Sequence, residues 1–313
     1  MQNIIELLLT SGETGINLAL YVLLPVMVIM MSFMKVLEEK GILGRVALKL
    51  SPILILFGLP GLGVFAILQV MFVNFAAPLS TLKIIERDIH ISKQKIAATL
   101  AAIMAMSQAN VTFPLAVAGL NVPVALATSL AGGLLAGFVA YRLTDTEDSG
   151  EEGQNNKKII EAAPVEKRGI LQTINRGGEE GVHIVFSTLP ALILALLFVN
   201  ILRSVGAIDL LETALSPLLV SIGVPGIAVL PMITKYLAGG TAMMAITLDL
   251  VAEGALTATE LNRIAGFAIN TLDPVAFAVL FSSGPRVASV GKPAIIGALV
   301  GILLRTIIHF IIF

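Results

Sequence analysis

Residues 25–64, PVMVIMMSFMKVLEEKGILGRVALKLSPILILFGLPGLGV, return without a gap as residues 190–229, PALILALLFVNILRSVGAIDLLETALSPLLVSIGVPGIAV. Pro25 recurs as Pro190, Phe33 as Phe198, Gly41 as Gly206, Ser51-Pro52 as Ser216-Pro217, Gly58 as Gly223 and Pro60-Gly61 as Pro225-Gly226. The same interval pairs Gly119 with Gly284, Val122 with Val287 and Gly132 with Gly297. One ancestral unit has been duplicated. The surrounding sequence is nearly all apolar, so the duplication lies in membrane, where such repeats build transporters with the substrate site between the halves.

The chain has 313 residues, 57% hydrophobic and 13% charged, against about 25% charged in soluble domains. Several stretches approach the roughly 20 apolar residues that cross a bilayer core. The expected class is an all-α polytopic membrane protein. A net charge of -1 and the lack of a basic, aromatic-rich cluster set nucleic acid aside as a partner. The absence of cysteine removes thiol ligands, disulfides and thiol nucleophiles. Met1 to Ser11 lacks the basic start and cleavage site of a signal peptide and reads as an amphipathic interfacial helix.

Ten hydrophobic segments are expected: 17–37, 42–57, 62–84, 96–118 and 122–142 in the first half, then 182–203, 207–222, 226–248, 263–283 and 293–313. Segments 42–57 and 207–222 are short and interrupted by Ser-Pro, so by length they could be re-entrant. Five crossings in the first half would gather Lys35, Lys40, Arg45, Lys49, Lys83, Arg87, Lys93, Lys95 and Arg142 on one side, with no Lys or Arg opposite them. That side is cytoplasmic by the positive-inside rule. In the second half the bias flips, Arg286 and Lys292 occupying the loop whose counterpart is uncharged. Two inverted-topology repeats, 1–143 and 181–313, with a cytoplasmic linker at 144–180, account for this pattern. Arg168 to Asn175 could form an amphipathic helix at the end of the linker. A parallel four-crossing arrangement puts the loop from Lys83 to Lys95 outside and ranks second.

Functional positions are sought where polar residues and helix breakers coincide in apolar segments. The third segment carries Gln69, Asn74 and Pro78, and its counterpart carries Thr234, Lys235, Gly239, Gly240 and Thr241. The fourth segment carries Ser107, Gln108, Asn110, Thr112 and Pro114, and its counterpart Asn270, Thr271, Asp273 and Pro274. Broken helices at matched places free carbonyls and helix N-termini to line a cavity. The candidate substrate-binding set is therefore Gln69, Asn74, Gln108, Asn110, Thr234, Lys235, Asn270 and Asp273. The alternative is that each break is a kink with locally satisfied polar groups.

Lys235 and Asp273 are the deepest ionisable residues and are candidate partners for each other, either functionally or as a structural ion pair. Lys235 suits an anionic group, and Asp273 a coupling proton or Na⁺. Arg305 lies near enough to a segment end to snorkel, and His90, His183 and His309 have no partner at ligand spacing. The methionines at 27, 30, 31, 34, 243 and 244 read as core packing. Gly58 to Gly63 lacks the Lys-Ser/Thr of a phosphate-binding loop and reads as a turn. No cofactor, resident metal or catalytic residue is expected, and no hydrolase motif is present.

The stretch Asn74-Phe75-Ala76-Ala77-Pro78-Leu79, with Lys83 after it, resembles one in the spore maturation membrane proteins. More broadly the chain is similar to the nucleoside recognition, or Gate, domain shared with concentrative nucleoside transporters and ferrous iron transporter B. Gly239 to Ala242 resembles the second Gate repeat. The resemblance implies two Gate repeats in a bacterial inner membrane. The chain lacks the iron transporter's GTPase domain and membrane cysteines, and the Gln-Ser-Glu-type motif of the nucleoside transporters, so it implies no substrate. The expected function is secondary transport of a small solute, the rival being a non-transporting scaffold in an envelope or maturation complex. The expected partners are the lipid bilayer, an unspecified small molecule or ion and, as an open alternative, further copies of the chain.

Overall fold

The structure, a computed structural model, describes residues 4–145, 169–206, 210 and 224–313. All regular structure among them is helical, since chain in lipid must satisfy its own N–H and C=O groups. Five helices there are long and apolar enough to cross a membrane: Ile4–Glu39, Val122–Leu143, Ile170–Leu202, Gly226–Ala252 and Gly291–Ile312.

Helices α1 (Ile4–Asn17) and α2 (Leu24–Glu39) are joined by π-helical Leu18–Leu23 into one unbroken run. The expected separate interfacial helix is thus continuous with the first span. The π turn precedes Pro25, which cannot donate to the ladder; the Leu24 N–H shifts to Ala19 O, five residues back. After Gly41 (φ 64°) comes α3 (Ile42–Leu54), with a 3₁₀ turn at Ile55–Phe57. This segment is bent by 111° from α4 (Gly61–Phe72), so it does not continue into the next helix. Its counterpart, 207–222, lies outside the described residues apart from Leu210.

The third segment is not the single crossing expected for 62–84. Helix α4 stops at Phe72, and α5 (Pro78–Arg87) starts after a gap. The Thr81 hydroxyl donates to Gln69 Oε1 at 2.7 Å, whereas residues that far apart in a straight helix are separated by about 18 Å. The chain therefore doubles back as a helical hairpin. Asn74 makes the turn, its Oδ1 accepting from Ala76 N (2.9 Å) and Ala77 N (2.7 Å), and Pro78 opens α5 where no N–H is needed.

The fourth segment is α6 (Lys93–Ala105), N-capped by Ser92, then α7 (Ala109–Thr112) and a 3₁₀ turn at Pro114–Ala118. Helix α8 (Val122–Leu143) follows, capped by Asn121. The second half begins with α9 (Ile170–Ser204), 35 residues long. The amphipathic stretch expected at the linker's end is the first part of this helix, and 146–168 lie outside the described residues. Helix α10 (Val229–Ala252) kinks at Gly239 (φ 83°, ψ 177°). The remaining helices are α11 (Ala258–Ala268), started by the Thr257–Glu260 capping box, α12 (Pro274–Phe281), α13 (Pro285–Ser289) and α14 (Gly291–Ile312). Lys93 and Ala258, which open α6 and α11, are related by the interval that carries Pro25 to Pro190.

Equivalent helices of the two halves pack antiparallel. Along α8 and α14, Thr128 meets His309, Gly132 meets Arg305 and Gly301, and Ala140 meets Gly297. Along α2 and α9, Met27 meets Gly181 and Ser32 meets Gly177. Glycines admit these approaches: a Cβ on Gly301 would overlap the Gly132 carbonyl oxygen. We expect Gly301→Val to force α8 and α14 apart and cost about 1–3 kcal/mol. Gly12→Ala, with nothing within 4 Å of its Cβ, should be neutral or stabilising by up to about 1 kcal/mol. Thermal unfolding of the two variants in detergent checks the contrast, and equal melting temperatures would contradict the contact.

Candidate functional site

Four interruptions of helix meet inside the molecule: Val73–Ala77, Met106–Gln108, Gly239 and Ile269–Asp273. Each exposes backbone that helix would otherwise satisfy, and much of it is satisfied across the halves. Within the first half Phe75 N donates to Asn110 Oδ1 at 3.3 Å, and across the halves Asn110 Nδ2 donates to Thr241 Oγ1 at 3.0 Å. Gln108 Nε2 donates to Asn270 O at 3.1 Å. Thr271 N donates to Met104 O at 3.1 Å, and its hydroxyl reaches Ile103 O. The second half thus closes the open end of α6.

Lys235 is fully buried. Its ammonium donates to Asn270 Oδ1 (2.6 Å) and to Ala268 O (3.0 Å), the last residue of α11. A cation at a helix C-terminus meets the partial negative charge of unpaired carbonyls. Asn270 Oδ1 also accepts from Leu272 N at 2.9 Å, and its Nδ2 donates to Phe267 O at 2.8 Å. Asp273 caps α12, Oδ1 accepting from Ala276 N at 2.9 Å. The expected contact between Lys235 and Asp273 is therefore not made: no ion pair joins them among the described residues, because each serves the end of a different helix.

Six of the eight candidate residues gather here. Gln108 and Lys235 both bond to Asn270, Asn110 joins Phe75 to Thr241, Asn74 lies beside Phe75 in the hairpin turn, and Asp273 Oδ1 lies 3.8 Å from where a Gly239 Cβ would be. Gln69 and Thr234 stand apart; Gln69 accepts from Thr81 within the hairpin, and Thr234 donates to Leu230 O in its own helix (2.9 Å). Thr241 and Thr271 belong to the site and were not in the candidate set, although both flank the glycine and proline breaks that mark it. Gly240 is needed because a Cβ there would overlap the Gln108 amide.

The reading of Arg305 is also corrected by the structure. Arg305 does not snorkel: it is 0% exposed, its stem lying over Gly132, and its guanidinium donates to Ala105 O (2.5 Å) and Ser107 Oγ (2.7 Å). The missing side chain at Gly132 opens an inward path that is unavailable on an ordinary helix face. His309 is held by hydrogen bonds to Thr128 Oγ1 at 2.9 Å and Asn262 O at 2.6 Å. Among the described residues no group of three or more His, Asp or Glu could hold a metal ion.

Amides, hydroxyls and one ammonium around broken helices can replace the hydration shell of a small polar solute. In this conformation the set is closed, with Gln108, Asn110, Asn270 and Asp273 each 2% exposed. A separate apolar cavity of about 430 Å³ lies between α10 and Phe267, lined by residues such as Met232, Tyr236 and Leu237; it contains none of the site residues.

Asn270→Ala should cost about 1.5–3 kcal/mol, since it strips a buried acceptor from the Lys235 ammonium. Gly239→Ala should cost about 1–3 kcal/mol, because its backbone conformation is open only to glycine. Thr234→Val, losing one bond within its own helix, should cost less than either. Chemical unfolding of the three variants checks the order.

A family model described as Gate, nucleoside recognition, matches residues 20–121. Spore maturation protein B of Bacillus subtilis (strain 168) is 33% identical over 94 residues, which are 30% of this chain and 52% of that protein. The chain thus spans about half the length of that curated relative. CNTnw in an inward-facing substrate-bound state aligns with a TM-score of 0.69 at 20% identity, over 94% of this chain and 74% of that one. A CNTnw variant in an outward-facing state aligns with the same score, identity and coverage. At 20% identity that likeness is one of fold. Residues 20–121 therefore carry the Gate, or nucleoside recognition, signature, in a multi-pass helical membrane chain that has the fold of CNTnw and is similar to spore maturation protein B.

Proposed function

We propose that this chain is a secondary transporter of a small solute in a bacterial inner membrane, and not an enzyme, with its binding site at the junction of the four helix breaks. One observation carries the reading. Breaks from both halves, far apart in sequence, satisfy one another through Asn110–Thr241, Gln108–Asn270 and Thr271–Met104. Structural kinks need only local partners; a site shared between repeats is what alternating access requires.

The repeats are 1–143 and 181–313, inverted with respect to each other and joined by a cytoplasmic linker at 144–180. The antiparallel packing of α2 on α9 and α8 on α14 supports this, because parallel repeats would set equivalent helices pointing the same way. The loop contacts agree. Gly119 O and Asn121 N bond to Asn262 near the start of α11, whereas Arg286, in the equivalent loop, bonds to Glu86, Asp88 and Ile91 near the start of α6. With the hairpin doubling back and the short α3, bent by 111° from α4, not crossing either, three crossings remain in the first half, still an odd number, and the basic loops stay on one side.

The scaffold reading is favoured by the likeness to spore maturation protein B and by the closure of the site. A ligand-stabilisation screen with nucleosides, organic anions, amino acids and divalent metals separates the two. We expect a solute that raises the melting temperature of the purified protein and no longer does so in Asn110→Ala; no hit, with a partner protein copurifying, supports the scaffold. Topology is checked by single-cysteine labelling in this cysteine-free chain. Asn121→Cys should react with an impermeant reagent on intact cells, and Ser289→Cys and Asn155→Cys only after lysis. Labelling of position 155 on intact cells contradicts the inverted arrangement.

A further inference from the structure

Buried charge is not balanced in this protein. Among the described residues, the buried ionisable side chains are Lys235, Asp273, Arg305 and His309. Two are permanent or ready cations and one is a carboxylate, leaving one positive charge in excess around the helix breaks. Among the described residues no ion pair relieves it: Lys235 is held by a carbonyl and an amide, and Arg305 by a carbonyl and a hydroxyl. Donor capacity is also left over. The Arg305 Nε is buried without a partner, and an ammonium has three N–H groups, of which Lys235 directs two at the partners named here.

Helix ends do not make up the difference. Each broken fourth segment presents one C-terminal end, at Ala105 or Ala268, and one N-terminal start, at Ala109 or Pro274. The partial charges of such ends are roughly equal and opposite, so the side chains decide the sign. Asp273 occupies the start of α12, while the equivalent position before α7 is the neutral Gln108. Water-free burial of an unmatched charge is costly, and a transport site must carry its solute through such a state.

We propose that the solute carried at this site is a small anion bearing one negative charge, a monocarboxylate in chemical class, held by the Lys235 ammonium with the Arg305 charge behind it. The proposal rests on the transport reading of the same site. Asn270, already bonded to Lys235, would share that ammonium with the bound carboxylate, and Gln108 would face it across the break.

The test uses the full chain in proteoliposomes and labelled acetate, lactate and benzoate, with uridine as a neutral solute and choline as a cation. The proposal expects saturable uptake of at least one carboxylate and of neither control. In Lys235→Gln that uptake should fall at least tenfold, while Lys235→Arg, which keeps the charge, should retain most of it. Uptake of uridine or choline without any carboxylate overturns the anion assignment and leaves the transport reading standing. Uptake of none of the five by protein with a sharp unfolding transition overturns both. Because wild-type selectivity alone decides the solute's class, a Lys235 variant that fails to fold does not leave the proposal unanswered.

Discussion

An unwound backbone in a bilayer has no water to turn to, and that constraint organises this molecule. Every break in a spanning segment frees N–H and C=O groups, each costing several kcal/mol if left unpaired in lipid. Here several of the replacements come from the opposite half: Thr271 and Arg305 for the end of α6, Gln108 for the carbonyl of Asn270, while Asn110 of the same half serves the hairpin turn and reaches across to Thr241. The breaks of the fourth segments are thus satisfied in part from the other half, and their burial fixes how the halves sit together. Glycines at 132, 240 and 301 follow from the same need, since each admits a partner that any side chain would displace.

The closed network also sets what a working cycle must do. Opening the site means exchanging bonds such as Asn110–Thr241 for bonds to water or solute, at a net cost of about 0.5–1.5 kcal/mol each when the exchange is complete. A solute that supplies matching polar groups repays that cost. The same geometry without exchange is a rigid clasp, which is what a scaffold needs. Architecture alone does not separate these uses; movement does.

Much of this was legible in the sequence. The repeat, the membrane class and the four breaks follow from prolines, glycines and polar residues placed in apolar runs. Periodicity could not show that 62–84 reverses, because a hairpin of two apolar helices and one long helix have the same hydropathy; only the Gln69–Thr81 bond reveals it. Pairing Lys235 with Asp273 went astray because side-chain charge was weighed and helix ends were not: Ala268 O takes the cation and Ala276 N takes the carboxylate. Arg305 was misread because its inward path depends on Gly132, far away in sequence, and Thr271 was overlooked because its acceptors lie on α6.

The central claim is that one site between the halves opens in turn to the two sides of the membrane. Asn110→Cys, in this chain without native cysteine, places a single thiol at the centre of the network. The measurement is its modification by a small impermeant methanethiosulfonate, applied from each side in turn to oriented membrane vesicles. The account predicts slow but complete reaction from either side. A thiol that stays unreactive from both sides, in protein shown to be folded, would contradict it and leave the breaks as fixed joints.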